Sequence, residues 1–492
     1  MNYSNISTTM RRLPMIVPLM VLITGNIISD IVLTEFTYPF WVCFVVTSVT
    51  AILLRGAPRI AAALAALFLL PFVVRSLLYS EPLPTDKALF MRIEVEEPPV
   101  IRDGTLRARV RIFDCSDTQR VYKHIRHRAV MRTDTLCRLS CGDRITCTGY
   151  LHGMPDNGYG NLMRRRGCGY SLTLDSSDIV HITGGRTTLH AAAESILSRL
   201  PLSPDAAATT DAMSTGSRSR LSAGLTQAYI NSGTSHILAV SGMHVGIVFL
   251  LVNTLLRWMA LLRHGRIIKN IAVTVIIWLY ALVCGLTPSV QRAAVMFTIL
   301  QTAGSLSREI NMTNILAGTA FIIIATDPDA MFDTGFLLSF AAVAGIISAV
   351  GLAAPHLPKE RNSMVTRDII ILLITGIAAF AATMPLISHI YGRVAVAGVV
   401  LSPLIILCAA IIVIVSVLWI IFPISWLAPL FAALLERVAS FQNEIVGAAA
   451  TWRWSYIDFR LSYASVVVIY AAAALLIIAA EVRRTKSVYA TE

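Results

Sequence analysis

Eleven apolar runs divide this chain, from Leu13–Ser29 near its start, through Ile267–Gly285 and Val394–Ile421, to Ala464–Ala480. Several reach the roughly 20 residues that an α-helix needs to cross a hydrocarbon core about 30 Å thick. Only 14% of the residues are charged, against about 25% in ordinary soluble domains. The pattern sets aside a soluble globular protein and predicts an α-helical polytopic membrane protein of about 10–12 spans. The first run lacks a small-residue cleavage site and is soon followed by two more, so it is expected to stay as an anchor.

Basic residues orient the spans. Arg11 and Arg12 precede the first run, Arg55 and Arg59 fall between the second and third, and Arg263, Arg266 and Lys269 follow the fourth. Lys359, Arg361 and Arg367 follow the eighth, and Arg483, Arg484 and Lys486 come near the end. Short basic loops stay cytoplasmic, so both termini are expected inside a bacterial inner membrane, with residues 80–235 periplasmic. That parity requires residues 427–450 to span as well, despite Glu436, Arg437 and Glu444. The chain is therefore expected to divide into a three-span anchor (1–79), an extracytoplasmic β domain (80–185) and a helical linker at the membrane surface (186–234). A transmembrane domain (235–482) and a cytoplasmic tail (483–492) follow.

The β domain announces itself by a change of period. In "LRARVRIF" (106–113) Leu106, Ala108, Val110 and Ile112 alternate with Arg107, Arg109 and Arg111. Such a strand buries one aliphatic stripe and displays three guanidinium groups on the other face. Residues 89–97, 142–151 and 171–182 also read as strands. Between 107 and 144 there are ten Lys/Arg against four Asp/Glu, and Arg164, Arg165 and Arg166 form a second basic cluster. A small barrel with a basic face suits the oligonucleotide-binding (OB) fold, whose groove tracks a nucleic-acid backbone; a merely solvated strand face is the other reading. Tyr122, Tyr150, Tyr159 and Tyr170 are the nearby aromatic rings. Cys115, Cys137, Cys141, Cys147 and Cys168 fall here too. An oxidising compartment allows one or two disulfides among them, and no second pair completes a zinc pattern around Cys137 and Cys141.

The fourth apolar run opens with "SHILAVSGMHVGIVFL" (235–250). Read as one continuous helix, it sets His236, Val240 and His244 on a shared face, with Ser241 one turn before His244. Gly242 and Gly246 make a G-x-x-x-G step that admits a neighbouring helix. Polar groups in a span point into a bundle or a water-filled cavity. Arg292, in the run that follows Thr287-Pro288, is a functional candidate for the same reason, and Pro288 is expected to break its helix.

Four stretches together carry a resemblance. "GTSHILAVSGMHVGIV" (233–248), "GLTPSVQRAAVMF" (285–297), "NILAGTAFIIIATDPDAMFDTGFLLSFAAVAGI" (314–346) and "PDNGYGNLMRRRGCGYSL" (155–172) resemble the ComEC-type competence family, inner-membrane channels that pass single-stranded DNA into competent bacteria. The resemblance implies an OB-like N-terminal β domain, in which the basic residues Arg107, Arg109, Arg111, Arg164, Arg165 and Arg166 are the expected DNA contacts. It implies a DNA path lined by His236, Ser241, Gly242, His244 and Arg292. Asp327, Asp329 and Ser339 would be structural or gating positions, with Asp327 or Asp329 a candidate partner for Arg292.

Departures from the family are visible. Ser217 follows Gly216 where an acidic residue is common, and Ser402 stands where Asn often precedes Pro-Leu. No H-x-H-x-D-H occurs before Glu492, so the nuclease domain of many relatives is not expected here, and strand degradation is assigned to a separate nuclease. No G-x-x-x-x-G-K-S/T occurs either, so a cytoplasmic DNA motor is the expected source of ATP-driven work. No cofactor and no metal are expected, and a homo-oligomer is left open. Two rivals remain: an intramembrane hydrolase using Ser241 and His244, and a proton-coupled small-solute transporter using the histidines.

Overall fold

The computed structural model describes residues 15–31, 43–50, 57–78, most of 83–183, 189–305, 311–356 and 364–489. Arg165, Arg166, Cys137, Cys141 and the basic residues Arg11, Arg12, Arg55, Lys359 and Arg361 lie outside the described residues. Two compact units emerge. One gathers Met1–Ile196, Ser217–Ser219 and Phe249–Phe336; the other gathers Leu197–Gly216, Arg220–Val248 and Leu337–Glu492.

The first unit contains a barrel. Its strands are β1 (Ala88–Val95), β2 (Val100–Arg102), β3 (Thr105–Ser116), β4 (Val121–Tyr122), β5 (His127–Asp134), β6 (Arg144–Gly153), β7 (Cys168–Leu174) and β8 (Ile179–Thr183). Five of them close in the order β1-β3-β5-β7-β6 and back to β1. The β5–β7 pair is parallel and the rest are antiparallel. The fourth barrel strand, β6, returns to lie beside the first, which is a Greek-key connection.

Period-2 burial builds this closure. Leu89, Met91, Ile93 and Val95 of β1 and Leu106, Ala108, Val110 and Ile112 of β3 point into one core with Ile145, Leu151, Leu172 and Leu174. The aliphatic stripe on β3 is the one its alternation predicts. The strand expected over 171–182 instead breaks at a turn of 3-10 helix, Ser176–Asp178, where the Asp178 carboxylate accepts from the Asp175 N–H at 2.9 Å.

Cys115 and Cys147 lie in this core as free thiols, while Cys168 is buried with Val130 and Met154 in a separate cluster. Burial pushes the Cys115 thiol up to about 11 and the Cys147 thiol up to about 12, with Asp114 and Asp178 adding to the respective shifts. A raised thiol holds less thiolate at any given pH below it. Alkylation of these two in the native protein at pH 8 is therefore expected to run at least about a hundredfold slower than at an unperturbed thiol. Mass spectrometry of iodoacetamide-treated protein before and after unfolding checks this; equal labelling in both states would contradict a sealed barrel.

The helices are α1 (Ile16–Ile31), α2 (Ala57–Leu78), α3 (Leu189–Leu197), α4 (Pro204–Ser214), α5 (Ala223–Asn231), α6 (Ser235–Leu238), α7 (Gly242–Leu255) and α8 (Gly265–Val283). There follow α9 (Pro288–Ser305), α10 (Met312–Thr326), α11 (Thr334–Ala353), α12 (Met364–Tyr391), α13 (Ala397–Ile421), α14 (Ala428–Ala450) and α15 (Tyr463–Tyr489). Among the described residues four helices are long and apolar enough to cross a membrane: α8, α11, the Arg367–Tyr391 part of α12, and α13. Five shorter apolar helices accompany them, within α1, α2, α7, α10 and α15.

The second unit packs α4 and α5 against α13 and α14. α14 is continuous for 23 residues; Glu436, Gln442 and Asn443 are hydrogen-bonded to these neighbours, while Arg437 and Glu444 are exposed. The Ser203 N–H and hydroxyl donate to Glu436, at 2.8 and 2.6 Å. Gln442 donates to the Tyr229 hydroxyl at 2.8 Å, and Tyr229 and Thr209 donate to Asn443 Oδ1 at 2.9 and 3.0 Å. The segment expected as a linker thus supplies part of this unit's core: in α4, Ala206, Ala208, Thr209, Thr210, Ala212 and Met213 are buried.

Candidate functional site

The signature stretch is positioned by a glycine turn. α5 ends with Gly233 at φ +77°. The Thr234 N–H reaches the Tyr229 carbonyl at 3.0 Å and the Gly233 N–H reaches Ile230 at 3.1 Å. This is a Schellman ending, and the left-handed residue it requires is most often glycine. Four residues of α6 follow, and then the chain is extended at Ala239 (φ −91°, ψ 141°) before α7 begins at Gly242.

The expectation of one continuous helix from 235 is therefore corrected. His236 and His244 do not share a helical face, because the backbone breaks between Leu238 and Gly242. Ser241 takes the position just before α7, and His244 falls at the third helical residue. The Ser241 N–H donates to His244 Nδ1 at 3.1 Å, and the Ser241 Oγ lies 3.0 Å from the same nitrogen. The bond from the Ser241 N–H is one half of a capping box, in which Glu or Gln is the usual third residue; here an imidazole accepts it. Since a backbone N–H can only donate, Nδ1 carries a lone pair and the ring proton sits on Nε2. His244 is fully buried, and its Nε2 has no hydrogen-bond partner among the described residues. His236 is exposed, its Nδ1 bonded to the Gly233 carbonyl at 3.1 Å.

Arg292 belongs to the first unit. A second Schellman ending closes α8: the Leu286 N–H reaches Ala281 at 2.9 Å, with Gly285 at φ +70°. Pro288 then opens α9 rather than breaking a helix, the first-turn position where its missing N–H costs nothing. Arg292, one turn in, is buried; its Nη2 donates to the Gly335 carbonyl at 2.9 Å, with Asp333 beside it. Its acidic neighbour is thus Asp333 and not Asp327 or Asp329. Asp327 instead caps the turn Pro328–Phe332 by accepting from the Asp329 N–H at 3.2 Å. Asn26 of α1 ties that turn down through the Pro328 carbonyl at 2.6 Å. Ser339 is half-buried on α11. Phe249 of α7 stacks on Phe297 of α9 with centroids 4.5 Å apart.

On the barrel, Arg107, Arg109 and Arg111 face outward from β3, as alternation predicts. The structure adds two arginines that sequence reasoning missed. β5 places Arg132 opposite Arg107 and Arg128 opposite Arg111. Like charges directly across a strand pair repel, and Glu96 relieves one such pair by bridging Arg111 and Arg128, the latter at 2.8 Å. Among the described residues, Arg92 pairs with Asp114 at 2.9 Å and Arg144 with Glu94 at 3.1 Å. β3 and β5 thus carry Arg107, Arg109, Arg111, Arg128 and Arg132 on adjacent strands. Arg164 is exposed, and one of its guanidinium nitrogens donates to the Met154 carbonyl at 2.9 Å. Of the expected aromatic rings, Tyr150 is exposed while Tyr170 is buried and accepts from the Leu83 N–H at 2.7 Å. The signal for β5 lay in the alternation of Ala129, Met131 and Thr133, masked by Val130 burying on the opposite face with Met154 and Cys168.

A family model for competence proteins matches residues 213–484, more than half of the chain and all of the signature stretches beyond the barrel. The protein belongs to the competence protein family. It is 30% identical over 146 residues to "ComE operon protein 3" of Bacillus subtilis (strain 168), an alignment that covers 30% of this chain and 18% of that relative. No solved structure matches. Membership suggests a role in DNA uptake during transformation and implies an interaction with DNA.

Proposed function

We propose that this chain is the inner-membrane channel through which single-stranded DNA enters the cytoplasm during transformation, with the barrel on the outer side as its receptor. The observation that carries the proposal is the arginine face of β3 and β5. These are the second and third strands of a closed five-stranded Greek-key barrel, and in OB folds that pair of strands forms the oligonucleotide-binding face. Arginines there neutralise phosphates without regard to sequence, which is what uptake of arbitrary DNA demands. His244 Nε2 of α7 and Arg292 Nε of α9 are each buried with no hydrogen-bond partner among the described residues, and each would be a donor for the passing strand. A motor and a nuclease would be separate polypeptides.

Binding of labelled oligo(dT) to the full chain in detergent, across a salt series, tests this. An Arg107/Arg109/Arg111→Ala variant is expected to bind at least about tenfold more weakly at low salt, with the slope of log K against log salt flattened by roughly 1–2. Salt-insensitive binding, or a variant that binds like the parent, would remove the barrel from the DNA path.

The hydrolase reading gains one observation, the Ser241 Oγ 3.0 Å from His244 Nδ1. The same lone pair also accepts from the Ser241 N–H, so the imidazole is engaged in capping the helix rather than held free as a base.

A further inference from the structure

The short strands β9 (Arg393–Ala395) and β10 (Tyr456–Asp458) pair antiparallel. β9 joins α12 to α13 and β10 joins α14 to α15, so their pairing gathers four helix ends of the second unit at one place. The loop around β10 is firmly held. The Phe459 N–H donates to the Gly392 carbonyl and the Ala397 N–H to the Ser455 carbonyl, both at 3.1 Å. The Ser388 hydroxyl accepts from the Leu461 N–H at 3.2 Å and donates to Phe459 O. His389 Nδ1 donates to the Leu461 carbonyl at 3.0 Å.

This rigid loop exposes aromatic rings. Trp454 is 62% exposed and Trp452 40%, their centroids 5.6 Å apart, and Phe459 and Tyr463 are exposed nearby in sequence. The indole spacing is too close for a base to slide between, so the pair presents one continuous surface. Three arginines accompany them against a single aspartate. Arg393 is spent on Asp458, at 2.9 Å, and lies over the Tyr456 ring at 3.9 Å. Arg453 and Arg460 are exposed. α12 is long enough to cross a membrane, so these arginines sit at the end opposite Arg367. Positive charge on both ends of one span runs against the usual cytoplasmic bias and calls for an anionic partner. Exposed rings interleaved with arginine are the elements of a stacking platform for unpaired bases.

We infer that the Trp452–Trp454 loop is a second contact for single-stranded nucleic acid, stacking bases on the two indoles while Arg453 and Arg460 meet the adjacent phosphates. The inference rests on the DNA-channel reading. Its pre-set geometry lets binding proceed without ordering a loop.

The full chain in phosphatidylcholine nanodiscs, titrated with labelled oligo(dT), tests it. Trp452→Leu/Trp454→Leu keeps the apolar surface and removes the rings; it is expected to weaken binding about tenfold with the salt slope unchanged. Arg453→Gln/Arg460→Gln is expected to flatten that slope by roughly 1. Elution of both variants at the parent volume verifies folding. If the parent binds and the barrel variant weakens it, while both loop variants bind like the parent, the loop is no DNA contact and the channel reading stands. Quenching of its indoles by brominated lipid would then mark it as a membrane-interface anchor. If the parent does not bind at all, both readings fall.

Discussion

Replacing Gly233 by valine is expected to abolish the folded second unit, lowering stability by about 4 kcal/mol or more. Two costs combine. A β-branched residue at φ +77° suffers the Cβ–carbonyl clash that keeps L-residues out of the left-handed region. A Cβ at this position would also lie 2.5 Å from the Ala395 Cβ and 3.4 Å from the Gly398 Cα. Neither neighbour can retreat: Ala395 is registered against Tyr456 in the β9–β10 pair, and Gly398 sits in the first turn of α13, where a Cβ added to it would in turn lie 3.0 Å from the Gly233 carbonyl oxygen. Such a loss is a large share of a stability of about 5–15 kcal/mol. Gly224→Ala is the control, because a Cβ there meets nothing within 4 Å, and it should be neutral or stabilising by up to about 1 kcal/mol. Thermal unfolding followed by size-exclusion recovery separates the two variants; similar melting temperatures would refute the close approach.

His244→Ala should cost about 3 kcal/mol, and His244→Gln only about 1 kcal/mol. The alanine empties a fully buried site and leaves the Ser241 N–H without the acceptor it now has at 3.1 Å. Glutamine at the third helical position can restore that acceptor, being the ordinary residue of a capping box. Function should divide differently from folding. If His244 Nε2 donates to the passing strand, the glutamine variant folds yet transports less DNA, since an amide turned back onto the Ser241 N–H no longer places a donor where Nε2 stands. Equal destabilisation by both substitutions would show that the imidazole fills space without capping α7.

Much of the architecture could be read before any coordinates. Hydropathy located the long helices, and period-2 alternation located β3 with Arg107, Arg109 and Arg111 on its outer face, because both signals come from burial on one side of a regular element. The signature stretch was recognisable as a site but not as a shape. Its apolar residues suit one long helix, and the break between Leu238 and Gly242 follows from local hydrogen bonds at Ser241 and from the Gly233 turn. β5 escaped because Val130 buries on the face opposite its neighbours, which blurs the alternation.

Residue order alone thus decides which segments must leave water and which face of a strand is charged, since solvent exclusion acts on local periodicity. Partnership is decided by the fold. Glu96 reaches both Arg111 and Arg128 only because β1, β3 and β5 are adjacent in a closed barrel. Arg292 finds Asp333 and the Gly335 carbonyl, not the more conspicuous Asp327, because the turn after α10 spends Asp327 on its own cap. The Trp452–Trp454 loop becomes a platform only when β10 pairs with a strand more than 60 residues earlier. Hydrogen bonds and ion pairs act over about 3–4 Å, and which groups come within that distance is a property of the packed chain.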